Sequence, residues 1–321
     1  MSTLLVGYRA ADMFERNRRG RQETAAWLDG DVICHTLDIY DCHAIEKTHH
    51  LKAICSPHLP DGPWDLVKFR TGPKLMSGEL ALDLLQEIHL LKMKCGCRVE
   101  VDYVGRERDR NDLLAKVRDD PDRVRSFRAT WPASVPGGPK LEFASYPGCF
   151  CHRRLDEGGL ALAEVVCREL AAEGRGGLRL LDMGCGCGLV GLLVATFLRE
   201  KGCEVSLVMV DSHSRAVEAA RENAAALQVP AEVLLTDDGS PAEMDGTFDV
   251  FVGNPPYYSD YRIADVFLET ALRALKPGGA CYTVCKNAAG LEPVQKRHFT
   301  SVETVGRRGY AVLKSVKGVV R

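Results

Sequence analysis

Short apolar runs, each ending at a polar or acidic residue, recur along the chain, and stretches of helical spacing lie between them. In the C-terminal half the runs are LRLLDM, with Asp182; EVSLVMVD, ending at Asp211; AEVLLTDD, ending at Asp237 and Asp238; and FDVFVG, which runs into Asn254. Continuous apolar runs of this length, bounded by turn residues, fit strands buried on both faces. Between them, SHSRAVEAARENAAAL has an alanine-rich helical pattern with an early serine suited to capping, and IADVFLETALRALKPGG leads into a fifth run, ACYTVCKN. Such alternation predicts a Rossmann-like α/β domain, a parallel sheet with helices on both faces. The last two runs, SVETVG and YAVLKSVK, are separated by only a few residues including Gly309, which predicts a C-terminal antiparallel hairpin.

The N-terminal half also alternates. DVICHTLD, WDLVKFRT and CRVEVDYV read as strands, and ELALDLLQEIHLLKMK between the last two as a helix. SVPGGPK, Ser134 to Lys140, interrupts regular structure and predicts a boundary between a smaller α/β domain, residues 1–139, and a second domain, residues 140–321. A length of 321 residues and 45% hydrophobic content suffice for two packed cores. No apolar stretch approaches the ~20 residues of a membrane span, and MSTLLVGYRA is too short an apolar segment for a signal peptide. The reading is a cytoplasmic protein with no membrane partner.

The glycine-rich segment LDMGCGCG places Gly184, Gly186 and Gly188 between the run at Asp182 and a helical stretch. Glycines permit positive φ and close backbone approach, so a ligand can lie against such a loop and the helix N-terminus that follows. By itself this suits NAD, FAD, S-adenosylmethionine or a plain tight turn. Asp211, at the next strand end, can bind two ribose hydroxyls, and Asp237 or Asp238 can accept from an adenine amino group, which supports an adenosine-containing cofactor. Asn254-Pro255-Pro256-Tyr257 then supplies the chemistry. An amino or amide nitrogen conjugated to a π system is a poor nucleophile. The Asn254 side-chain oxygen and the Pro255 carbonyl can both accept from such an NH2 group, and the two prolines fix the backbone without adding donors. Tyr257 offers an aromatic face on which a flat substrate can stack. The combination points to methyl transfer onto a planar nitrogen.

Taken in order, DMGCGCG, VDSHSRAVEAARENA, TDDG, FDVFVGNPPYY, LRALKPGGACYTVCKN and GYAVLKSVK resemble class I S-adenosylmethionine-dependent methyltransferases. From about Lys140 the chain is similar to the small-domain methyltransferases that modify guanine N2 in ribosomal RNA, typified by small subunit methyltransferase C and large subunit methyltransferase G. Pro147, Gly148, Phe150, Leu155, Asp156 and Gly158 match that family's segment ahead of the glycine loop, and Asn287 and Val312 to Lys317 match its end. The resemblance implies S-adenosyl-L-methionine as cofactor, held by Asp182, the three glycines, Asp211, Asp237 or Asp238, and Asn254. It implies Asn254, Pro255, Pro256 and Tyr257 as the catalytic tetrad, with ribosomal RNA or a ribosomal subunit as partner. It further implies that the N-terminal domain is a degenerate, cofactor-free copy that helps hold RNA, against the alternative of an unrelated α/β domain. The family commonly has Phe then His where this chain has Tyr257 and Tyr258. Adenine N6 and protein glutamine therefore stand as alternative acceptors, and a non-catalytic RNA-binding relic as a third reading.

A net charge of −2 gives no global nucleic-acid signature, so any RNA footprint must be local. Basic residues cluster at Arg16, Arg18, Arg19 and Arg21; at Arg106, Arg108 and Arg110; at Arg118, Arg123, Arg125 and Arg128; and at Arg307, Arg308, Lys314, Lys317 and Arg321. The concentration between 106 and 128 makes that stretch the leading phosphate contact. Thirteen cysteines scattered through predicted strands and loops read as reduced thiols. CGC at Cys95–Cys97 and Cys185–Cys187 lacks paired CxxC spacing, and Cys149, Cys151 and His152 sit on one extended segment, so no metal site is expected.

Overall fold

The computed structural model describes residues 1–16, 22–25, 28, 30–120, 127–256 and 261–319. Two compact units are present: Met1–Arg128 with the short segments Tyr146–Gly148 and His213–Arg215, and Ala129–Ser145, Cys149–Ser212 and Ala216–Arg321.

The first unit runs β1 (Ser2–Val6), β2 (Phe14–Arg16), β3 (Gln22–Thr24), β4 (Asp31–Thr36), α1 (Ile39–His49), β5 (Lys52–Cys55), β6 (Leu66–Thr71), α2 (Gly78–Cys95), β7 (Arg98–Tyr103) and α3 (Glu107–Leu114). Its main sheet is parallel throughout, in the order β5-β4-β1-β6-β7. The three strands and the helix read from the sequence are present. β1 and β5 went unread, yet β1 is the central strand, with Leu4, Leu5 and Val6 fully buried. A five-residue run at the chain start carries too little periodicity to announce that role. Ser77 caps α2 by accepting from the Leu80 N–H at 3.2 Å, and Gly96, at φ +73°, ends it. Leu84, Leu85, Ile88 and Leu91 then pack on Val67 and Phe69. The segment His213–Arg215 is anchored within this unit by the buried Arg215 guanidinium, which donates to Asp83 and, at 3.3 Å, to Glu87.

The second unit runs β8 (Ala129–Ala133), β9 (Leu141–Ser145), α4 (Glu157–Glu173), β10 (Gly177–Met183), α5 (Leu189–Glu200), β11 (Glu204–Asp211), α6 (Ser214–Ala226), β12 (Ala231–Leu235), β13 (Phe248–Gly253), α7 (Arg262–Ala274), β14 (Leu275–Cys285), α8 (Ala288–His298), β15 (Glu303–Arg307) and β16 (Tyr310–Val316). Its seven-stranded sheet has the order β12-β11-β10-β13-β14-β16-β15. β12 to β14 pair in parallel, and β16 runs antiparallel to both β14 and β15, so the hairpin re-enters the sheet through its second strand. The α/β class and the terminal hairpin are as the sequence predicts.

Two sequence readings change. LKPGG belongs to β14 and not to the preceding helix: Pro277 cannot continue a helix and biases Lys276 to extended backbone, and a register shift against β13 between Phe248 and Val250 absorbs the extra residues. SVPGGPK is no interdomain boundary. It is the turn of the β8–β9 hairpin, with Gly137 at φ +76°, and Trp131 stacked on Phe143 at 5.3 Å across the pair. Proline and glycine mark a change of direction, and the division between units falls after Arg128. Among the described residues no helix is long and apolar enough to cross a membrane.

Candidate functional site

The carboxyl ends of β10, β11 and β13 are neighbours because β10 pairs with both other strands. Gly184, Gly186 and Gly188 all have positive φ, from +56° to +86°, and carry the chain from β10 into α5. At Gly184 a Cβ would stand 2.6 Å from the Phe267 ring, and at Gly253, which ends β13, 2.9 Å from the same ring. Both strand ends therefore need glycine to admit one aromatic side chain of α7. Gly186 differs: an added Cβ would meet no atom within 4 Å. Its N–H donates to Asp211 Oδ2 at 2.8 Å, so the carboxylate at the end of β11 lies directly against the loop, beside open space.

Asp182, at the end of β10, is a buried side chain. It is 2% exposed, and its Oδ2 accepts the Gly191 N–H of α5 at 2.8 Å. Burial pushes its carboxyl up to about 7, against the lowering effect of the Gly191 hydrogen bond. It ties the strand to the helix across the glycine loop. Asp237 is half-buried and Asp238 exposed, both just past β12. The Asp238 carboxylate accepts from the Thr236 hydroxyl of its own loop.

Asn254 follows β13, with Pro255 buried beside it. Its Nδ2 donates to Asp156 Oδ2 at 2.8 Å. A carboxylate accepts only, so the amide nitrogen must be the end facing Asp156, which makes Oδ1 the end turned the other way. The other oxygen of Asp156 accepts the Gly158 N–H at 3.0 Å and caps α4. A Cβ on Gly159 would come within 2.6 Å of Asp156 Oδ2, so glycine is required there for the carboxylate to serve both partners. A hydrogen bond to a charged group is worth about 1.5–3 kcal/mol, enough to hold one amide orientation. The resemblance marked Asp156 as a matched position, but its partner lies 98 residues away and only the fold shows it. Tyr257 and Tyr258 lie outside the described residues.

A family model described as the methyltransferase small domain matches residues 140–314, more than half of the chain. The chain belongs to the methyltransferase small domain family. Among curated members it is 32% identical over 185 residues to ribosomal RNA small subunit methyltransferase C of Stutzerimonas stutzeri strain A1501, covering 56% of this chain and 52% of that protein. It is 32% identical over 186 residues to ribosomal RNA large subunit methyltransferase G of Pseudomonas aeruginosa strain UCBPP-PA14, covering 56% and 47%. The chain thus spans about half the length of the curated relatives it matches. The solved structure of the T. thermophilus 16S rRNA N2 G1207 methyltransferase, in complex with AdoMet and guanosine, superposes with a TM-score of 0.78 at 21% identity, covering 99% of this chain and 88% of that one. At that identity the likeness establishes the shared fold.

In this small-domain member, the described basic side chains at 106–118 and 307–317 that the sequence singled out are engaged within the protein. Arg106 meets Asp109 at 2.9 Å, Arg110 meets Glu107 at 3.2 Å and Arg108 meets Asp112 at 3.9 Å, all along α3. Arg118 donates to the carbonyls of Ala115 and Val117. Arg307 and Arg308 engage Glu164, Arg308 also Glu157, and Lys314 meets Glu169 at 2.7 Å, all three carboxylates lying on α4. Lys317 donates to the Leu275 carbonyl. Arg18, Arg19, Arg21, Arg123, Arg125 and Arg321 fall outside the described residues, and nothing is described of the Arg16 side chain. None of the thirteen cysteines is in a disulfide; His152 meets the Ser145 hydroxyl through Nδ1 at 3.0 Å.

Proposed function

We propose that the chain is an S-adenosylmethionine-dependent methyltransferase acting on an exocyclic amino group of RNA, guanine N2 of ribosomal RNA. The observation that carries this reading is the fixed orientation of Asn254. With Nδ2 donating to Asp156, the amide is held with Oδ1 at its opposite end, the end that would accept from a substrate NH2 group, one residue past the strand that adjoins the glycine loop. The adenosine-bearing cofactor fits the residues present: open space at Gly186, an acidic side chain beside it at Asp211, and a glycine-headed helix at Gly188. Asp211 would hold the ribose hydroxyls. Asp237 or Asp238, both just past β12, would accept from the adenine amino group. Asp182 serves by holding the glycine loop.

When bound, S-adenosylmethionine supplies an electrophilic methyl group. Asn254 Oδ1 and the Pro255 carbonyl accept from the amino group, aim its lone pair and stabilise the positive charge that develops on nitrogen as the new N–C bond forms. The displaced C–S pair stays on sulfur, and the proton leaves to water. No side chain needs to become a covalent intermediate. Tyr257 is assigned the stacking face. Because a paired base inside a helix cannot reach such a site, the target guanine would be in a loop or extruded.

The relatives named as ribosomal RNA methyltransferases support the substrate class, and a cytoplasmic location goes with that substrate. The first unit is proposed to be a degenerate copy that holds RNA. Its parallel strand order supports this, as does Gly7, where a Cβ would lie 2.4 Å from the Arg70 carbonyl, so the backbone just after β1 packs against the end of β6, whereas Gly186 in the second unit borders open space.

The test is incubation with methyl-tritiated S-adenosylmethionine and separate pools of ribosomal RNA, ribosomal subunits, transfer RNA, DNA and release factor, followed by digestion of the product. N2-methylguanosine from ribosomal RNA or subunits is expected. N6-methyladenine or methylglutamine would replace the acceptor while keeping the site, and no label in any pool would favour the binding relic.

A further inference from the structure

The hairpin and the fifth parallel strand bring a cation to the rim of the candidate site that the mechanism above does not use. Lys286 directly follows β14, next to β13 and hence to Asn254 in the sheet. Its side chain is exposed, and Nζ stands 4.2 Å from the centroid of the Tyr310 ring at the start of β16. That ring in turn packs on the first turn of α4: a Cβ on Gly158 would lie 3.1 Å from Tyr310 Cε1. Gly158 is the residue whose N–H is capped by Asp156, the partner of Asn254. Lys286, Tyr310, Asp156 and Asn254 thus form one contiguous row.

The surrounding cations are already engaged. Arg307, Arg308 and Lys314 face carboxylates of α4, and Lys317 donates to a backbone carbonyl. Among the described residues of this stretch, Lys286 is the cation with an aromatic face and no carboxylate within ion-pair distance. An ammonium over a π face keeps its charge and its donors while losing freedom of position. We propose that Lys286, seated on Tyr310, binds a backbone phosphate of the substrate RNA next to the target nucleotide. A phosphate contact fixes register without reading sequence, and is what an enzyme needs to present one nucleotide to Asn254.

The inference rests on the proposed RNA substrate, so binding and turnover are read separately. Filter binding of a ribosomal RNA fragment, across a salt series, is compared for the full chain and for Lys286→Gln, Lys286→Arg and Tyr310→Leu. Lys286→Gln is expected to weaken binding about fivefold to tenfold and to reduce the slope of log K against log salt by about one phosphate contact. Lys286→Arg should retain the slope, and Tyr310→Leu should weaken binding while leaving the slope in place. Calorimetric S-adenosylmethionine affinity should be unchanged in all three variants. Equal RNA affinity and equal slope for Lys286→Gln would overturn the phosphate site while leaving the methyltransferase reading standing. A chain that binds RNA through Lys286 but transfers no methyl group would support the site and sink that reading, and a chain that binds no RNA would sink both. Inorganic phosphate that competes as well as the RNA fragment does at equal phosphate concentration would reduce the site to a simple anion site and overturn the RNA assignment.

Discussion

Counted within each unit, the order β5-β4-β1-β6-β7 and the order β12-β11-β10-β13-β14 both read 3-2-1-4-5, and every pairing in them is parallel. The carboxyl ends of the strands are where they part. After β10 the backbone turns through glycines and leaves open space at Gly186; after β1, Gly7 is pressed against the Arg70 carbonyl, with Tyr8 and Met13 packed in the core behind it. After β11, Asp211 reaches the glycine loop. After β4, Asp38 spends its carboxylate on the Tyr40 N–H at 2.8 Å, capping α1. After β13 stand Asn254, Pro255 and Pro256; after β6 stand Gly72, Pro73 and Lys74, with Gly72 at φ +155° and the direction of its missing Cβ only 2.3 Å from the Val104 carbonyl. Among the described residues only the second sheet continues into a hairpin. A strand order sets where loops emerge, while open space and the side chains at the strand ends decide whether chemistry can follow.

Substitutions at matched positions can break this contrast. The largest effect is expected for Asn254→Ala, which should lower single-turnover methylation by about 10²–10³-fold, the scale of one preorganised electrostatic contact, with cofactor affinity within about twofold. Gly72→Ala, at the matching strand end, should lower the melting temperature and leave per-molecule turnover intact; normal turnover in Asn254→Ala would erase the distinction. Next, Asp211→Ala should raise the calorimetric Kd for S-adenosylmethionine by about 10–100-fold, or about 1.4–2.8 kcal/mol. Asp38→Ala should leave that Kd alone and cost about 1 kcal/mol of stability through its lost cap. A shared effect on Kd would mean that both strand ends serve one ligand.

A smaller effect is expected for Asp156→Ala, about a tenfold loss of kcat with little change in cofactor Kd, because the acceptor remains and only its orientation is freed; each tenfold is about 1.4 kcal/mol. A pH effect bears on stability and not on turnover. Burial raises the Asp182 carboxyl from 3.8 to about 7 in the folded chain. The folded state therefore holds a proton that the unfolded state has lost. The stability this group contributes is complete below pH 3.8 and is lost as pH rises through about 7. Thermal melts of Asp182→Asn between pH 4 and 7.5 should show a shallower decline than the parent chain, and parallel curves would contradict the assignment.

Much of the second unit was legible because its strands are buried on both faces and so appear as unbroken apolar runs, and because glycine and proline mark the loops that carry its chemistry. The first unit was less so. β1 and β5 are short, and a five-residue run at a chain start looks the same whether it lies at the centre of a sheet or at its edge. The same punctuation that located the glycine loop misled at SVPGGPK, since a hairpin turn and a linker use the same residues. The basic stretch at 106–110 looked like a phosphate face because sequence counts charges without showing their partners; along α3 those partners are three or four residues away.

The sequence by itself determined the α/β class, the parallel order of motifs, the terminal hairpin and the residue types at the strand ends, because these depend on local periodicity and on the conformational limits of glycine and proline. Tertiary structure alone decided that Asp182 points inward, that Asn254 is oriented by Asp156 and that Lys286 sits over Tyr310. Each of these depends on side chains distant in the chain meeting within hydrogen-bonding or van der Waals reach, and such meetings are set by the packing of strands and helices and by no local pattern.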